Sequence, residues 1–112
     1  MDQSYSRFNE SQIKVMLREQ PDAAHLYFAL GNLYLNQKRY AEAQGAFFNA
    51  WSLQKSNTDY AFNLAVSLDH LGKPQHAMDY YQLSLKLFEQ SGGNVMEKDV
   101  KKRIRLIQEQ VK

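Results

Sequence analysis

One segment of the chain recurs 34 positions later in altered form, and this repetition constrains the fold more than any other feature. Residues 25–51 read HLYFALGNLYLNQKRYAEAQGAFFNAW, and residues 59–85 read DYAFNLAVSLDHLGKPQHAMDYYQLSL. Within each copy the apolar residues recur at spacings of three and four, which predicts pairs of amphipathic helices and not strands. A fixed period of about 34 residues is typical of a solenoid, in which each helical hairpin stacks on the next.

The two copies also share a pattern of small and large residues. Gly31 aligns with Ala65, and Ala43 aligns with Ala77, as expected where the two helices of one hairpin approach closely. A larger side chain at these positions would push the helices apart. Large residues stand beside the small ones at equivalent positions in the two copies: Tyr34, Phe47, Leu68 and Tyr81.

These residues resemble the pattern of the tetratricopeptide repeat family, which places aromatic, Leu-Gly, aromatic, Ala, aromatic, Ala and Pro residues at fixed positions. The first copy, 24–57, matches at Tyr27, Leu30, Gly31, Tyr34, Tyr40, Ala43, Phe47 and Ala50. The second copy, 58–91, is more degenerate and matches at Leu64, Ala65, Leu68, Ala77 and Tyr81. The resemblance implies an all-α fold, a right-handed solenoid of helical hairpins with about six helices.

The same alignment predicts how a single domain over residues 1–112 is organised. One period upstream of the first copy, Ile13 and Met16 fall on second-helix positions and Pro21 on the terminating position, so the chain is expected to begin with the latter half of a repeat. The predicted order is a half repeat, two repeats and a capping helix, at 9–21, 24–57, 58–91 and 94–112.

Polar residues and proline mark the expected ends of helices. Asn9 with Gln12, and Asn94 with Glu97, have the spacing of a capping box, in which two side chains satisfy the first backbone N–H groups of a helix. Pro74 follows a Gly-Lys turn and is acceptable in the first turn of a helix, where its missing N–H would be unpaired.

The last segment, 94–112, does not continue the pattern at a period of 34, since Asp99 and Lys102 stand where a small and a large apolar residue are expected. We interpret it as a helix that caps the apolar flank of the second repeat. Its apolar stripe comprises Met96, Val100, Ile104, Ile107 and Val111, and its basic side comprises Lys98, Lys101, Lys102, Arg105 and Lys112. The basic side is expected to be a solvated surface; the alternative is contact with an acidic partner, an anionic membrane or a phosphate backbone.

Composition excludes several kinds of function. The absence of cysteine rules out disulfides, thiolate metal sites and a thiol nucleophile. The three histidines, His25, His70 and His76, lack the helical spacing of three or four that would bring two imidazoles to one metal. A net charge of +2 argues against nucleic acid as the main ligand. We therefore predict a protein that is not an enzyme and needs no cofactor or metal.

The apolar runs are too short to span a bilayer, and the first residues lack the layout of a signal peptide. Taken as printed, the chain is accordingly expected to be soluble and cytoplasmic, without a membrane span; the alternative left open is a fragment of a larger anchored protein.

The resemblance implies that the first helix of each repeat lines a concave binding groove. The groove residues carried over from the family are His25, Phe28, Asn32, Leu35 and Asn36 in the first repeat, and Asp59, Phe62, Asn63, Val66, Asp69 and His70 in the second. Asn32 and Asn63 match two asparagines with which some members bind the C-terminal carboxylate of a chaperone. The cationic residues of that clamp are replaced by Phe28, Gly93 and Glu97, so we expect no binding of a free C-terminal carboxylate.

These features predict a module that binds a peptide or helix of another protein in its groove. Two alternatives stay open: a scaffold that associates with itself, and an adaptor that uses the basic C-terminal helix. The run DYAFNLAVSLDHL at 59–71 also resembles bacterial repeat domains encoded with type IV pilus or secretion machinery, particularly of the mannose-sensitive haemagglutinin pilus type.

Overall fold

A computed structural model of the chain describes residues 7–110, so Val111 and Lys112 of the predicted last helix lie outside the described residues. Within 7–110 the regular structure is entirely helical, which confirms the predicted all-α fold of six helices. The helices are α1 (Glu10–Glu19), α2 (Ala24–Asn36), α3 (Tyr40–Leu53), α4 (Thr58–His70), α5 (Pro74–Ser91) and α6 (Glu97–Gln110).

Local chemistry sets several of these boundaries. The Asn9 Oδ1 atom accepts from the Gln12 backbone N–H, and the Gln12 Oε1 atom accepts from the Asn9 N–H, both at 2.9 Å, so the predicted capping box is confirmed. Asn57 caps α4 in the same way by accepting from the Tyr60 N–H at 3.0 Å. Pro74 occupies the first turn of α5, as predicted.

The helices pack as hairpins, α2 with α3 and α4 with α5, and α3 also packs against α4. A Cβ atom added to Gly31 would lie 2.5 Å from Cε1 of Phe47, which confirms that α2 and α3 approach too closely for a side chain there. Ala43, Ala65 and Ala77 are completely buried. The small residues identified from the repeat therefore do mark the close contacts of both hairpins.

Helix α1 packs against α2 through the fully buried Ile13 and a polar network at its first turn. Glu10 accepts hydrogen bonds from the Tyr34 hydroxyl at 2.8 Å and from Nη1 of Arg39 at 2.9 Å, and it pairs with Lys14 at 3.0 Å. The hydrogen bonds from Arg39, Lys14 and Tyr34 lower the pKa of the Glu10 carboxyl to about 2. The Glu10 carboxylate thus joins α1 to the last turn of α2, through Tyr34, and to the residue before α3, Arg39.

The predicted capping box at Asn94 is wrong. Helix α6 begins at Glu97, and its first backbone bond runs from the Val100 N–H to the Met96 carbonyl at 3.0 Å. Asn94 instead donates its backbone N–H and its side-chain amide to the Asp59 carboxylate, at 2.7 and 3.2 Å. A charged acceptor on α4 therefore takes the donors of Asn94, and the helix starts two residues later than the pattern indicated.

The register of α6 explains why the pattern broke down at a period of 34. Val100 and Ile104 are buried, and they lie 36 residues after Leu64 and Leu68 of α4, which are buried in the same manner. Helix α6 consequently packs like the first helix of a further repeat that has been displaced by two residues. The segment before it accommodates this displacement, because α5 has 18 residues whereas α3 has 14.

Candidate functional site on helices α2, α4 and α6

The predicted groove residues lie on α2 and α4, the first helices of the two repeats, and α6 continues this row. Rings of Phe28 on α2 and Tyr60 on α4 lie 4.9 Å apart, and Asp69 on α4 forms an ion pair with Arg103 on α6. These contacts show that the three helices stand side by side. Their exposed sides form one surface, which we call the A-helix face.

Both predicted groove phenylalanines pack against an aromatic ring of their own hairpin. The Phe28 ring lies 5.7 Å from Phe47 at an interplanar angle of 52°, and the Phe62 ring lies 6.0 Å from Tyr81 at 53°. Both phenylalanines are half-buried. Part of each ring therefore stabilises its own hairpin, whatever it contributes to binding.

The two predicted acidic groove residues already have partners in the chain. The Oδ2 atom of Asp69 accepts hydrogen bonds from Nε of Arg103 at 2.6 Å and from the Tyr81 hydroxyl at 2.9 Å. Its Oδ1 atom accepts from Nη2 of Arg103 at 2.7 Å. Burial raises the pKa of the Asp69 carboxyl, but the hydrogen bonds from Arg103 and Tyr81 outweigh burial and lower it. Asp69 thus joins α4, α5 and α6, a role that the sequence did not indicate.

Asp59 fixes the segment between α5 and α6 to the start of α4. Besides accepting both donors of Asn94, it lies next to Thr58, whose hydroxyl donates to the Gly92 carbonyl at 2.7 Å. A Cβ at Gly93 would lie 2.8 Å from Cβ of Thr58, and the φ of Gly93 is +144°, so a side chain is excluded on two grounds. The second repeat therefore holds the linker before α6 tightly.

The asparagines of the predicted groove keep unused hydrogen-bonding capacity. Nδ2 of Asn63 donates to the Asp59 carbonyl at 2.9 Å, which leaves its Oδ1 and one N–H available. The side chain of Asn32 makes no hydrogen bond within residues 7–110. Both residues are half-buried, as are the apolar Leu35 and Val66. This part of the face combines amides with apolar surface.

The remaining predicted residues lie toward the ends of their helices. His25, Asn36 and His70 are exposed, and the imidazole of His70 stacks on the Tyr40 ring at 4.3 Å and 4°. Within residues 7–110, no group of three or more His, Asp or Glu side chains is placed to hold a metal ion. No helix of that same range is long and apolar enough to cross a membrane.

The sequence did not predict a pocket that lies between α4, α5 and α6, which we call the junction pocket. Its volume is about 230 Å³, and it is lined by Phe62, Tyr81, Asn94, Met96, Asp99, Val100 and Arg103. Only Phe62 among these residues was predicted to belong to the groove. A comparison at a spacing of 36 residues would have pointed to one more, because it aligns Asp99 on α6 with Asn63 on α4.

The sequence matches the tetratricopeptide repeat family over residues 24–47 and 58–91, together more than half of the chain. The chain belongs to the tetratricopeptide repeat family. Members of this family are generally non-catalytic and act as protein-interaction modules. No curated protein sequence matches the chain.

Similar solved structures support the same fold. The first tetratricopeptide repeat domain of Spaghetti (RPAP3), bound to an HSP90 peptide of sequence SRMEEVD, superposes with a TM-score of 0.78 at 20% identity, over 90% of this chain and 75% of that one. MamA of AMB-1 superposes with a TM-score of 0.75 at 25% identity, over 90% of this chain and 52% of MamA. MamA of MSR-1 gives 0.63 at 21% identity, with coverages of 91% and 67%. The chain therefore spans about half the length of MamA of AMB-1.

Proposed function

We propose that this chain is a non-enzymatic module that binds a peptide or helical segment of another protein along the A-helix face. The observation that carries the proposal is the placement of Asn32 and Asn63, with unused hydrogen-bonding groups, beside half-buried Leu35 and Val66. An amide both donates and accepts, so it binds a peptide backbone whatever its side chains. The apolar neighbours supply contact area that leaves water on binding.

The related structure that contains an HSP90 peptide supports a peptide as the class of ligand. The binding mode proposed for this chain is different, because the positions expected to hold cations for a C-terminal carboxylate are Phe28, Gly93 and Glu97. The bound segment is therefore an internal part of its protein and is recognised through its backbone and its apolar side chains. Such binding depends only weakly on salt.

A pair of matched variants tests this proposal. The partner is captured from cells with the wild-type chain and then titrated against Asn32→Ala/Asn63→Ala and against Asn49→Ala, an exposed asparagine on α3. Loss of two hydrogen bonds should weaken the partner by about 1 to 3 kcal/mol, whereas Asn49→Ala should leave its affinity unchanged. Equal affinities for all three proteins would refute the proposal. Phe28→Ala is a poor test, since Phe28 also packs against Phe47 and Tyr60.

An adaptor that uses the basic side of α6 is the second candidate. Lys101 pairs with Glu97 at 3.3 Å and Arg103 pairs with Asp69, whereas Lys98, Lys102 and Arg105 form no ion pair within the described range. These three exposed cations are available to an acidic partner. Replacing all three by glutamine should abolish binding if this candidate is correct, and binding would then weaken steeply with salt.

Self-association is the third candidate, supported by five large apolar side chains that are more than 40% exposed: Val15, Phe48, Leu53, Met96 and Leu106. Light scattering of the purified chain over a range of concentrations tests it. A mass that stays at 13.1 kDa would reject the scaffold.

Residues 59–71 resemble repeat domains encoded with type IV pilus or secretion machinery. This resemblance supports a role for the proposed interaction in the assembly of a pilus or secretion complex. Deletion of the gene should then reduce surface pili or secretion in the source organism. Asn32→Ala/Asn63→Ala should reproduce the loss, while Asn49→Ala should not.

A further inference from the structure

The two places where one repeat meets the next are built from equivalent residues but are filled differently. At the first, the Phe28 ring is covered by Tyr60, with the ring centroids 4.9 Å apart. At the second, Met96 lies 36 residues after Tyr60, in the register that α6 adopts, and faces Phe62 across the junction pocket. Met96 is 68% exposed and does not cover Phe62 as Tyr60 covers Phe28.

The size and lining of the junction pocket fit one aromatic ring. An apolar cavity of about 150 Å³ is known to hold benzene, so a pocket of about 230 Å³ has room for one substituted ring. Phe62, Tyr81, Met96 and Val100 offer apolar contact, as Phe28 does to Tyr60 at the first junction. The chain itself thus shows, at the first junction, which kind of side chain fills such a space.

The charge at the pocket narrows the choice of ring. Arg103 is neutralised by the Asp69 carboxylate, whereas Asp99 lines the pocket and forms no ion pair or hydrogen bond within residues 7–110. A carboxylate at the edge of an apolar pocket complements a hydrogen-bond donor on the entering group. Tyrosine and tryptophan combine a large apolar ring with one donor, while phenylalanine lacks the donor.

We infer that the junction pocket receives one tyrosine or tryptophan side chain of the segment bound on the A-helix face, with its donor directed to Asp99. The inference rests on the proposed function and specifies the side chain that anchors the bound segment. Phe62 connects the junction pocket with the predicted groove, since it lines the pocket and is one of the groove residues.

The first experiment tests the pocket without a protein partner. N-acetyl-tyrosinamide, N-acetyl-phenylalaninamide and N-acetyl-alaninamide are titrated into the full chain labelled with ¹³C at its four methionine methyl groups. The Met96 methyl signal should shift with tyrosinamide, shift several-fold more weakly with phenylalaninamide, and stay constant with alaninamide. Asp99→Ala, which removes the acceptor, should reduce the affinity for tyrosinamide by roughly three- to tenfold, to the level of phenylalaninamide. No shift at Met96 with tyrosinamide would overturn the inference.

A second readout uses a variant that fills the pocket from within. Met96→Tyr should place a ring on Phe62 as Tyr60 lies on Phe28, so it should block tyrosinamide without unfolding the chain. The control is Leu106→Tyr, an exposed residue of the same helix that does not line the pocket. Because Met96 is lost in the first variant, binding is followed by saturation-transfer signals of the tyrosinamide ring. Binding that persists in Met96→Tyr, or that is lost equally in both variants, would overturn the inference.

Peptides selected from a random library on the full chain separate this inference from the proposed function. A shared tyrosine or tryptophan, with binding lost in both Met96→Tyr and Asn32→Ala/Asn63→Ala, supports both. Binding that depends on the asparagines but is indifferent to Met96→Tyr rejects the pocket and leaves the function standing. Binding that Asn32→Ala/Asn63→Ala leaves unchanged rejects the function, whatever the first experiment shows.

Discussion

The first and second junctions of this solenoid share an apolar core but differ in the contacts that are added to it. Between the repeats, the Phe28 ring lies between Phe47 and Tyr60, and further ring contacts join Tyr40 to His70 and Trp51 to Tyr80. Between the second repeat and α6, buried Val100, Ile104 and Ile107 are accompanied by polar contacts: Asp69 with Arg103, Asp59 with Asn94, and Thr58 with Gly92.

The first junction is therefore a closed contact within the chain, whereas the second junction leaves room for a ligand. Aromatic packing closes the first junction, because each ring is complementary in shape to the next. Directional hydrogen bonds instead fix α6 at the edges of the second junction and leave the space beside Phe62 unfilled. In this chain the pocket thus accompanies a change in the contacts of α6 while the helical-hairpin fold is kept.

The largest expected effect comes from removing the ring that supports Phe28 at the first junction. Phe47 is completely buried against Gly31 and Phe28, so Phe47→Ala should lower the free energy of unfolding by about 3 to 5 kcal/mol, through lost contacts and the cavity left behind. The matched control is Phe48→Ala, because Phe48 is 42% exposed and should cost no more than about 1 kcal/mol. Urea denaturation at neutral pH measures both. Equal losses would contradict the importance of the aromatic junction.

A smaller effect should follow from breaking the polar junction. Asp69→Asn removes the charge that binds Arg103, and the Asp69 side chain is only 16% exposed, so a loss of about 1 to 2 kcal/mol is expected. Glu97→Gln removes an exposed ion pair within α6 and should cost at most about 0.5 kcal/mol. Hydrogen exchange should show that Asp69→Asn frees the amides of α6 before those of α2. Uniform loss of protection in all helices would argue against a separately fixed α6.

Converting the second junction into a copy of the first should stabilise the chain slightly. Met96→Tyr adds a ring on Phe62, and a gain of about 0.5 to 1.5 kcal/mol is expected. Leu106→Tyr adds a ring to the same helix outside the pocket and should give no gain. A thermal melt compares the two. A destabilised Met96→Tyr chain would show that the second junction cannot accept the packing of the first.

The smallest expected effect concerns the polar contact at the other end of the array. The pKa of Glu10 lies at about 2, below its ordinary value of 4.5, because Arg39, Lys14 and Tyr34 donate to the carboxylate. The Glu10 carboxylate therefore binds a proton less readily in the folded state than in the unfolded state. The resulting stability is complete above about pH 4.5 and is lost as the pH falls toward 2.

Stability curves of Glu10→Gln from pH 6 to about 2 test this linkage. The difference between wild type and variant should shrink as the pH falls through that window. Glu19→Gln, at the exposed end of the same helix, is the control and should follow the wild type at every pH. A wild-type curve parallel to that of Glu10→Gln would show that the contact carries no linkage.

Much of the fold could be predicted because its signals are local or repeated. The capping box at Asn9, the turn before Pro74 and the close approach at Gly31 follow from residue type and spacing. Less of the candidate site could be predicted from the sequence. Asn32 and Asn63 could be found through the family resemblance, but nothing at Asp59 or Asp69 indicated that each already binds a residue near α6.

The sequence by itself determined the helical hairpins, their order and the small residues at which they meet, because the spacing of apolar and small side chains repeats every 34 residues. Only the tertiary structure decided the position of α6, the partners of Asp59 and Asp69, and the pocket beside Phe62. The physical reason is that a two-residue change in register turns a helix by about 200°, so a different side is buried. That register depends on how the segment after α5 packs onto α4, which involves contacts between distant residues and no periodic pattern.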